Sequence, residues 1–369
     1  MIPFKKYLQE VSTYEGGKSV SEVAPKGIKI HKLSSNENPL GASPKVVAAV
    51  QKQLQQLSIY PDGTDTRLRT ALANFYQNQL SAEQFLTANS GLACIELIVH
   101  AFMEQGTNAI YCNPAFGPYH AFPKKIGATA IDIPLIGDNF SLDIPAILAA
   151  VNEQTRLIFV TSPNNPTGTH IPKAQLDELI TKLPSHVILV IDEVYYQFTD
   201  APDFVRPLPY VLANKNIIGI NSFSKAYGLA GLRIGYAYST PEIASYLRQL
   251  RRPFMINSLS FEAAIAALDD NDFIQKTVEL VHQEKQFLYQ SLDKLDVKYW
   301  KTQANFILIE PEMSPLDFER SMLEKGIMVR PVAGFGAPKG VRVTIGTHQS
   351  NVAFLEAYKA IKAAAMVEC

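Results

Sequence analysis

Five short, almost wholly apolar runs, at residues 108–112, 156–161, 187–191, 217–220 and 233–238, constrain the fold more than any other feature of this chain. Each has the length of a strand and breaks off at a polar or turn-forming residue, and segments of helical spacing lie between them. A strand apolar on both faces needs cover on both. The alternation therefore predicts an α/β fold, a mainly parallel sheet sandwiched by helices. From Pro241 the texture changes. Helices are expected to about residue 252 and over 272–295, followed by short strands at 305–310, 327–330 and 341–345, with helices near 314–325 and 350–365. At 369 residues the chain exceeds the usual single-domain size. We expect a large domain over 41–252, with 1–40 and 253–369 forming an N-terminal arm plus a smaller α+β domain.

Composition removes several function classes. The formal net charge of −1 leaves no electrostatic footprint for nucleic acid or an anionic membrane. Residues 1–10 are polar and mixed, and no apolar run approaches the roughly 18 to 20 residues that span a bilayer, so a cytoplasmic protein is expected. The cysteines, Cys94, Cys112 and Cys369, are odd in number and widely spaced. That pattern argues against a disulfide framework and against a thiolate zinc site, and no metal is expected.

In open parallel sheets, ligands sit outside the carboxyl ends of the strands. Phe116, Asn165, Asp192, Tyr195 and Lys225 each follow one of the expected strands. Ser90-Gly91-Leu92-Ala93 opens a helix, whose first N–H groups suit a phosphate. An acid that follows an apolar strand is costly when buried alone, so Asp192 faces solvent or neutralises a cation. Lys225 stands in Asn221-Ser222-Phe223-Ser224-Lys225, with Arg233 eight positions on. A reactive lysine, an acid, a stacking aromatic, a phenol, a phosphate-ready helix start and an arginine form the set that pyridoxal 5'-phosphate requires.

Each residue then has a task. Lys225 would hold the cofactor covalently and, once released, carry a proton between substrate and cofactor carbons. Asp192 would keep the ring nitrogen protonated. Tyr195 and Asn165 would bond the ring oxygen, and Phe116 would stack on the ring. Ser90, Gly91, Ser222, Ser224, Arg233 and the amides of Leu92 and Ala93 would surround the phosphate. A rival reading takes Ser222 to Lys225 as the Ser-x-x-Lys of penicillin-binding enzymes, but their Ser-Asp-Asn and Lys-Thr-Gly partners are missing. Segment 334–340, glycine-rich but without nucleotide-loop spacing, reads as a flexible connector.

With these motifs the chain resembles the fold-type I pyridoxal-phosphate aminotransferases, and among them the histidinol-phosphate aminotransferases. The resemblance runs over nearly the whole length: Tyr14-Glu15-Gly16-Gly17-Lys18-Ser19, Ser34-Ser35-Asn36-Glu37-Asn38-Pro39-Leu40-Gly41, Tyr60-Pro61-Asp62-Gly63, 162–168, 192–195, 224–233, Asn305-Phe306 and Val329-Arg330-Pro331. It implies a homodimer in which Tyr60 reaches the neighbouring subunit's cofactor phosphate. It also implies a substrate site completed by Tyr14, Asn36, Asn165, Arg330 and Arg342. The implied reaction moves an amino group from a small-molecule donor to a 2-oxo acid, here histidinol phosphate and 2-oxoglutarate in histidine biosynthesis. Leu92-Ala93 stands where that family commonly has an acidic pair. Relatives that transaminate aromatic amino acids or decarboxylate phosphothreonine share most of these motifs, and both remain alternatives at this point.

Overall fold

The computed structural model describes residues 4–11, 16–17, 19–23 and 27–367; Tyr14 and Cys369 lie outside them. A two-residue strand, β1 (His31–Lys32), precedes the main sheet. That sheet contains β2 (Phe85–Ala88), β3 (Asn108–Asn113), β4 (Thr129–Pro134), β5 (Thr155–Thr161), β6 (Ile188–Asp192), β7 (Ile217–Ser222) and β8 (Gly235–Tyr238). Its strand order is β2-β8-β7-β6-β5-β3-β4. Successive residues of one strand point to opposite faces, and in β6 this divides the core: Leu189 and Ile191 join one apolar cluster and Val190 another. The first is closed by Leu68, Leu72, Leu176 and Leu179, the second by Ile95, Ile98 and Val99 of the helix Gly91–Phe102.

Strands β3 to β7 pair in parallel, whereas β8 runs antiparallel to both β2 and β7. The run 233–238, expected as one more parallel strand, is thus reversed. Between β7 and β8 the only regular element is a 3-10 turn, Ala230–Leu232, with no α-helix of the kind that usually carries a parallel crossover.

The smaller unit holds β9 (Lys298–Trp300), β10 (Phe306–Glu310), β11 (Ile327–Met328), β12 (Arg330–Pro331) and β13 (Val341–Thr344). Four of these form an antiparallel sheet in the order β12-β13-β10-β9, while β11 pairs in parallel with β1. Helices Asn271–Lys294, Pro315–Glu324 and His348–Val367 accompany it. A helix absent from the sequence reading, Ser258–Leu268, sends Phe261, Ala263, Ala264 and Ala267 into the core of the larger unit.

The segment expected as a flexible connector is anchored. Phe335 is buried, its carbonyl accepts from Ala115 N at 2.9 Å, and Gly336 takes φ 88° against the side chain of Asn113. A β-carbon at Gly336 would collide with that asparagine, which accounts for the glycine better than flexibility does.

Candidate active site

A cavity of about 300 Å³ opens where β5, β6 and β7 end and the helix Gly91–Phe102 begins. It brings together nearly all the residues picked from the sequence: Ser90, Gly91, Leu92, Phe116, Asn165, Asp192, Tyr195, Ser222, Ser224, Lys225 and Arg233, with Asn36, Arg330 and Arg342. Two stand apart. Ala93 is not in the lining, because its N–H donates to Ser90 Oγ at 3.3 Å and so caps the helix. Tyr60 is 80% exposed and rests on Phe254 away from the cavity.

Lys225 reaches the cavity from the loop after β7, and its Nζ donates to Ser35 O at 3.0 Å. Burial first, then the Arg342 and Arg233 charges, push its amine down to about 7 against the opposing pull of Glu37 and Asp192. The amine is thereby available unprotonated near neutral pH, the form a nucleophile needs. The supporting loops are held close by glycine: Gly228 takes φ 70°, and a β-carbon there would strike Gly41 O. The loop 34–41 is densely bonded through its two asparagines. Asn38 Nδ2 donates to Ala226 O at 2.8 Å, and Asn36 N donates to Thr344 Oγ1 at 2.9 Å.

Asp192 ends β6 with its carboxylate buried. Oδ2 accepts from Tyr119 at 2.8 Å, Tyr119 accepts from Thr161 Oγ1 at 2.9 Å, and Oδ1 accepts from Val194 N at 3.1 Å. Burial raises its pKa to about 6; the two hydrogen bonds and Lys225 act against that rise, while Glu193 adds to it. Above that pH a charge remains that seeks a cationic partner. Tyr119 was overlooked as a site residue. Its only signal was a place in the turn that also carries Phe116.

Around Ser222 the surfaces are donors. Ser222 Oγ donates to Ser224 Oγ at 3.0 Å, and Arg233 Nη1 lies 3.4 Å from Ser224 Oγ. The N–H groups of Gly91 and Leu92 have no acceptor among the described residues, as the start of a helix dictates. A β-carbon at Gly235 would overlap Gly91 N, so only glycine lets β8 press against this helix start.

Tyr195 OH accepts from Asn36 Nδ2 at 3.0 Å. Arg342 Nη1 donates to Asn165 Oδ1 and Nη2 to Ser34 O at 2.8 Å, which turns the NH2 group of Asn165 away from the guanidinium. Arg330 and Arg342 are directly opposed across β12 and β13, so their side chains share one face of the sheet. Phe335, missed in the sequence, packs on both guanidiniums, 5.9 Å from that of Arg330 and 5.6 Å from that of Arg342.

One set of residues is thus an anion cradle of hydroxyls, amides and a guanidinium, another is a buried carboxylate, and a lysine of lowered pKa completes them. This chemistry fits pyridoxal 5'-phosphate, which carries a phosphate, a protonatable ring nitrogen and an aldehyde. Fold and site together define a fold-type I pyridoxal-phosphate enzyme.

The chain belongs to the aminotransferase class I and II family, whose sequence profile matches residues 28–357. It is 37% identical over 362 residues to a Pseudomonas fluorescens protein named histidinol-phosphate aminotransferase 2, covering 97% of each chain. It is 38% identical to histidinol-phosphate aminotransferase 1 of Mannheimia succiniciproducens, covering 95% of each. Among solved structures, the Sinorhizobium meliloti histidinol-phosphate aminotransferase in complex with pyridoxal-5'-phosphate matches with a TM-score of 0.86 at 23% identity, over 97% of this chain and 98% of that one. At that identity the match speaks for the fold.

Proposed function

We propose that this chain is a pyridoxal-phosphate-dependent aminotransferase exchanging the amino group between histidinol phosphate and 2-oxoglutarate, in histidine biosynthesis. The observation that carries the substrate assignment is the cross-strand pair Arg330 and Arg342 on the cavity that Lys225 enters. Two guanidiniums on one face suit a phosphate or a second carboxylate, the groups that end the two substrates. The relatives named histidinol-phosphate aminotransferase support the same donor.

When bound, pyridoxal 5'-phosphate supplies a carbonyl carbon for the amine and an electron sink for the carbon that loses its proton. Ser90, Ser222, Ser224, Arg233 and the amides of Gly91 and Leu92 would hold its phosphate. Asp192, kept in place by Tyr119 and Val194 N, would hold the proton on its ring nitrogen. Asn165 and Tyr195 would bond its ring oxygen, and Phe116 would lie on its ring. Lys225 Nζ would bind it and then move the proton taken from the donor's α-carbon. Arg342, braced by Asn165 and Ser34 O, would orient the acidic end of the substrate.

Tyr60 belongs to a second part of the proposal. With Leu54, Leu57 and Ile59 it forms an exposed apolar group, of the kind that marks a subunit contact, and a homodimer would place Tyr60 at the partner's phosphate site. Among the described residues no helix is long and apolar enough to cross a membrane, which agrees with the cytoplasmic placement proposed here.

Aromatic donors are a second reading, favoured by Phe335 stacked on Phe116 at 6.4 Å beside the arginines. Turnover of histidinol phosphate and of phenylalanine, each with 2-oxoglutarate, decides the matter. We expect the higher kcat/KM with histidinol phosphate; a preference for phenylalanine would overturn the assignment.

A further inference from the structure

Asp192 and Glu193 are consecutive carboxylates at the buried end of β6, and Glu193 has no exposed side-chain surface at all. Two such anions cost a great deal unless at least one is cancelled. Arg206 meets Glu193 with a two-pronged contact, Nε to Oε2 and Nη2 to Oε1, both at 2.7 Å. Tyr238 OH donates to Oε1 at 2.9 Å, and Asn221 Nδ2 lies 3.5 Å from the same oxygen. The guanidinium is stacked 3.7 Å from the ring centre of Tyr196, and its Nη2 also donates to Tyr76 OH at 2.8 Å. Neither Glu193 nor Arg206 lines the cavity.

This network still touches the site at two points. Glu193 follows Asp192 in the chain, and its N–H donates to Ile220 O at 3.0 Å, joining the ends of β6 and β7. Asn221 accepts from Ser222 N at 2.8 Å, so the same asparagine that meets Glu193 fixes the start of the serine turn. We propose that Arg206 is a positioning residue for the reaction: it cancels the charge of Glu193, so that Asp192 alone offers a negative charge to the cofactor ring while Asn221 holds the Ser222 turn.

The competing idea is an ion pair that only stabilises the fold. Charge balance separates the two. Removing Arg206 leaves Glu193 without its cation, and its charge then acts uncancelled on the neighbouring Asp192 carboxylate. Tyr119, Cys94 and Lys225 also face Asp192, while Tyr76, Tyr196 and Tyr238 surround the Glu193 pair. None of these supplies a replacement cation next to Glu193. Removing both charges, by contrast, leaves Asp192 as the single carboxylate.

The test uses the holoenzyme forms of Arg206→Met, Glu193→Gln and the double variant. Three things are read: the cofactor dissociation constant, the pH titration of the bound cofactor's visible spectrum, and kcat with KM. Arg206→Met should weaken cofactor binding about tenfold, because an Asp192 carboxylate disturbed by an uncancelled Glu193 pairs less well with the ring nitrogen. It should shift the spectral titration and lower kcat more than it changes KM. The double variant should return the titration to the wild-type position. A double variant as displaced as Arg206→Met, or Arg206→Met with a wild-type titration, would overturn the proposal. Should Arg206→Met not fold, Arg206→Lys keeps the charge without the fork and must titrate like wild type; a shift there would be equally damaging. The inference rests on the cofactor assignment above but not on the donor, since binding and titration need no amino substrate. If Lys225→Met retained the visible band, the cofactor reading itself would fall.

Discussion

Lys225→Met, studied without cofactor, should make the protein more stable while abolishing its function. The folded chain lowers the Lys225 pKa from the ordinary 10.5 to about 7. Between those values the unfolded chain binds a proton that the native chain does not, so stability rises with pH through this window by up to roughly 1.4 kcal/mol per pH unit. The cost of the buried amine is therefore greatest at pH 7 and below. At pH 8, with 2.5 pH units remaining to 10.5, it amounts to about 3 kcal/mol. A methionine has comparable length and no charge, so it removes this term and loses the hydrogen bond to Ser35 O, worth about 1 kcal/mol. The variant should then gain about 2 kcal/mol at pH 8. The gain should shrink as pH rises and vanish before pH 10.5. Urea unfolding of both apoproteins, at fixed protein concentration and at several pH values from 7 to 10, measures the gap. A gap that does not change with pH would show that the native amine keeps its proton, and the account of Lys225 as a pre-neutralised nucleophile would be wrong.

Two further outcomes follow from the same geometry. Gly235→Ala puts a β-carbon onto Gly91 N and the Ser90 carbonyl carbon, so it should cost about 1 to 3 kcal/mol of stability and weaken binding of the cofactor phosphate; unchanged values of both would remove Gly235 from the explanation. Arg342→Lys keeps a charge but cannot bridge Asn165 Oδ1 and Ser34 O together, so kcat/KM for 2-oxoglutarate should fall about tenfold to a hundredfold, with the cofactor spectrum retained. Wild-type kinetics in that variant would place the substrate anion elsewhere.

How much of this was legible in the residues depended on the distance over which each feature is specified. The apolar runs are local, and they located β3, β5, β6 and β7 to within a residue or two. The residues just beyond them, Asp192, Asn165 and Lys225, could be assembled into one site because a parallel sheet lines up strand ends. The helix Ser258–Leu268 escaped because its SLSFEAAIAAL sequence is apolar nearly all round, and a helix without a polar face has little periodicity to detect.

The remaining features are set by contacts between distant segments. Tyr119 receives Thr161, 42 residues away, and donates to Asp192, 73 residues away; nothing near residue 119 encodes either contact. Phe335 looked like part of a loose glycine-rich loop, yet its carbonyl and Gly336 are held by Asn113 and Ala115, which lie more than 200 residues earlier in the chain. Arg206 follows the same rule. In sequence it is an ordinary arginine before a proline, and only the meeting of β6, β7 and β8 brings Asn221, Tyr238 and the Arg206 guanidinium onto one carboxylate, that of Glu193. The groups that react sit where local pattern places them, whereas the groups that orient them or balance their charge come from elsewhere in the chain. A substitution at Arg206 should for that reason alter the behaviour of Asp192, although its own side chain lies outside the cavity.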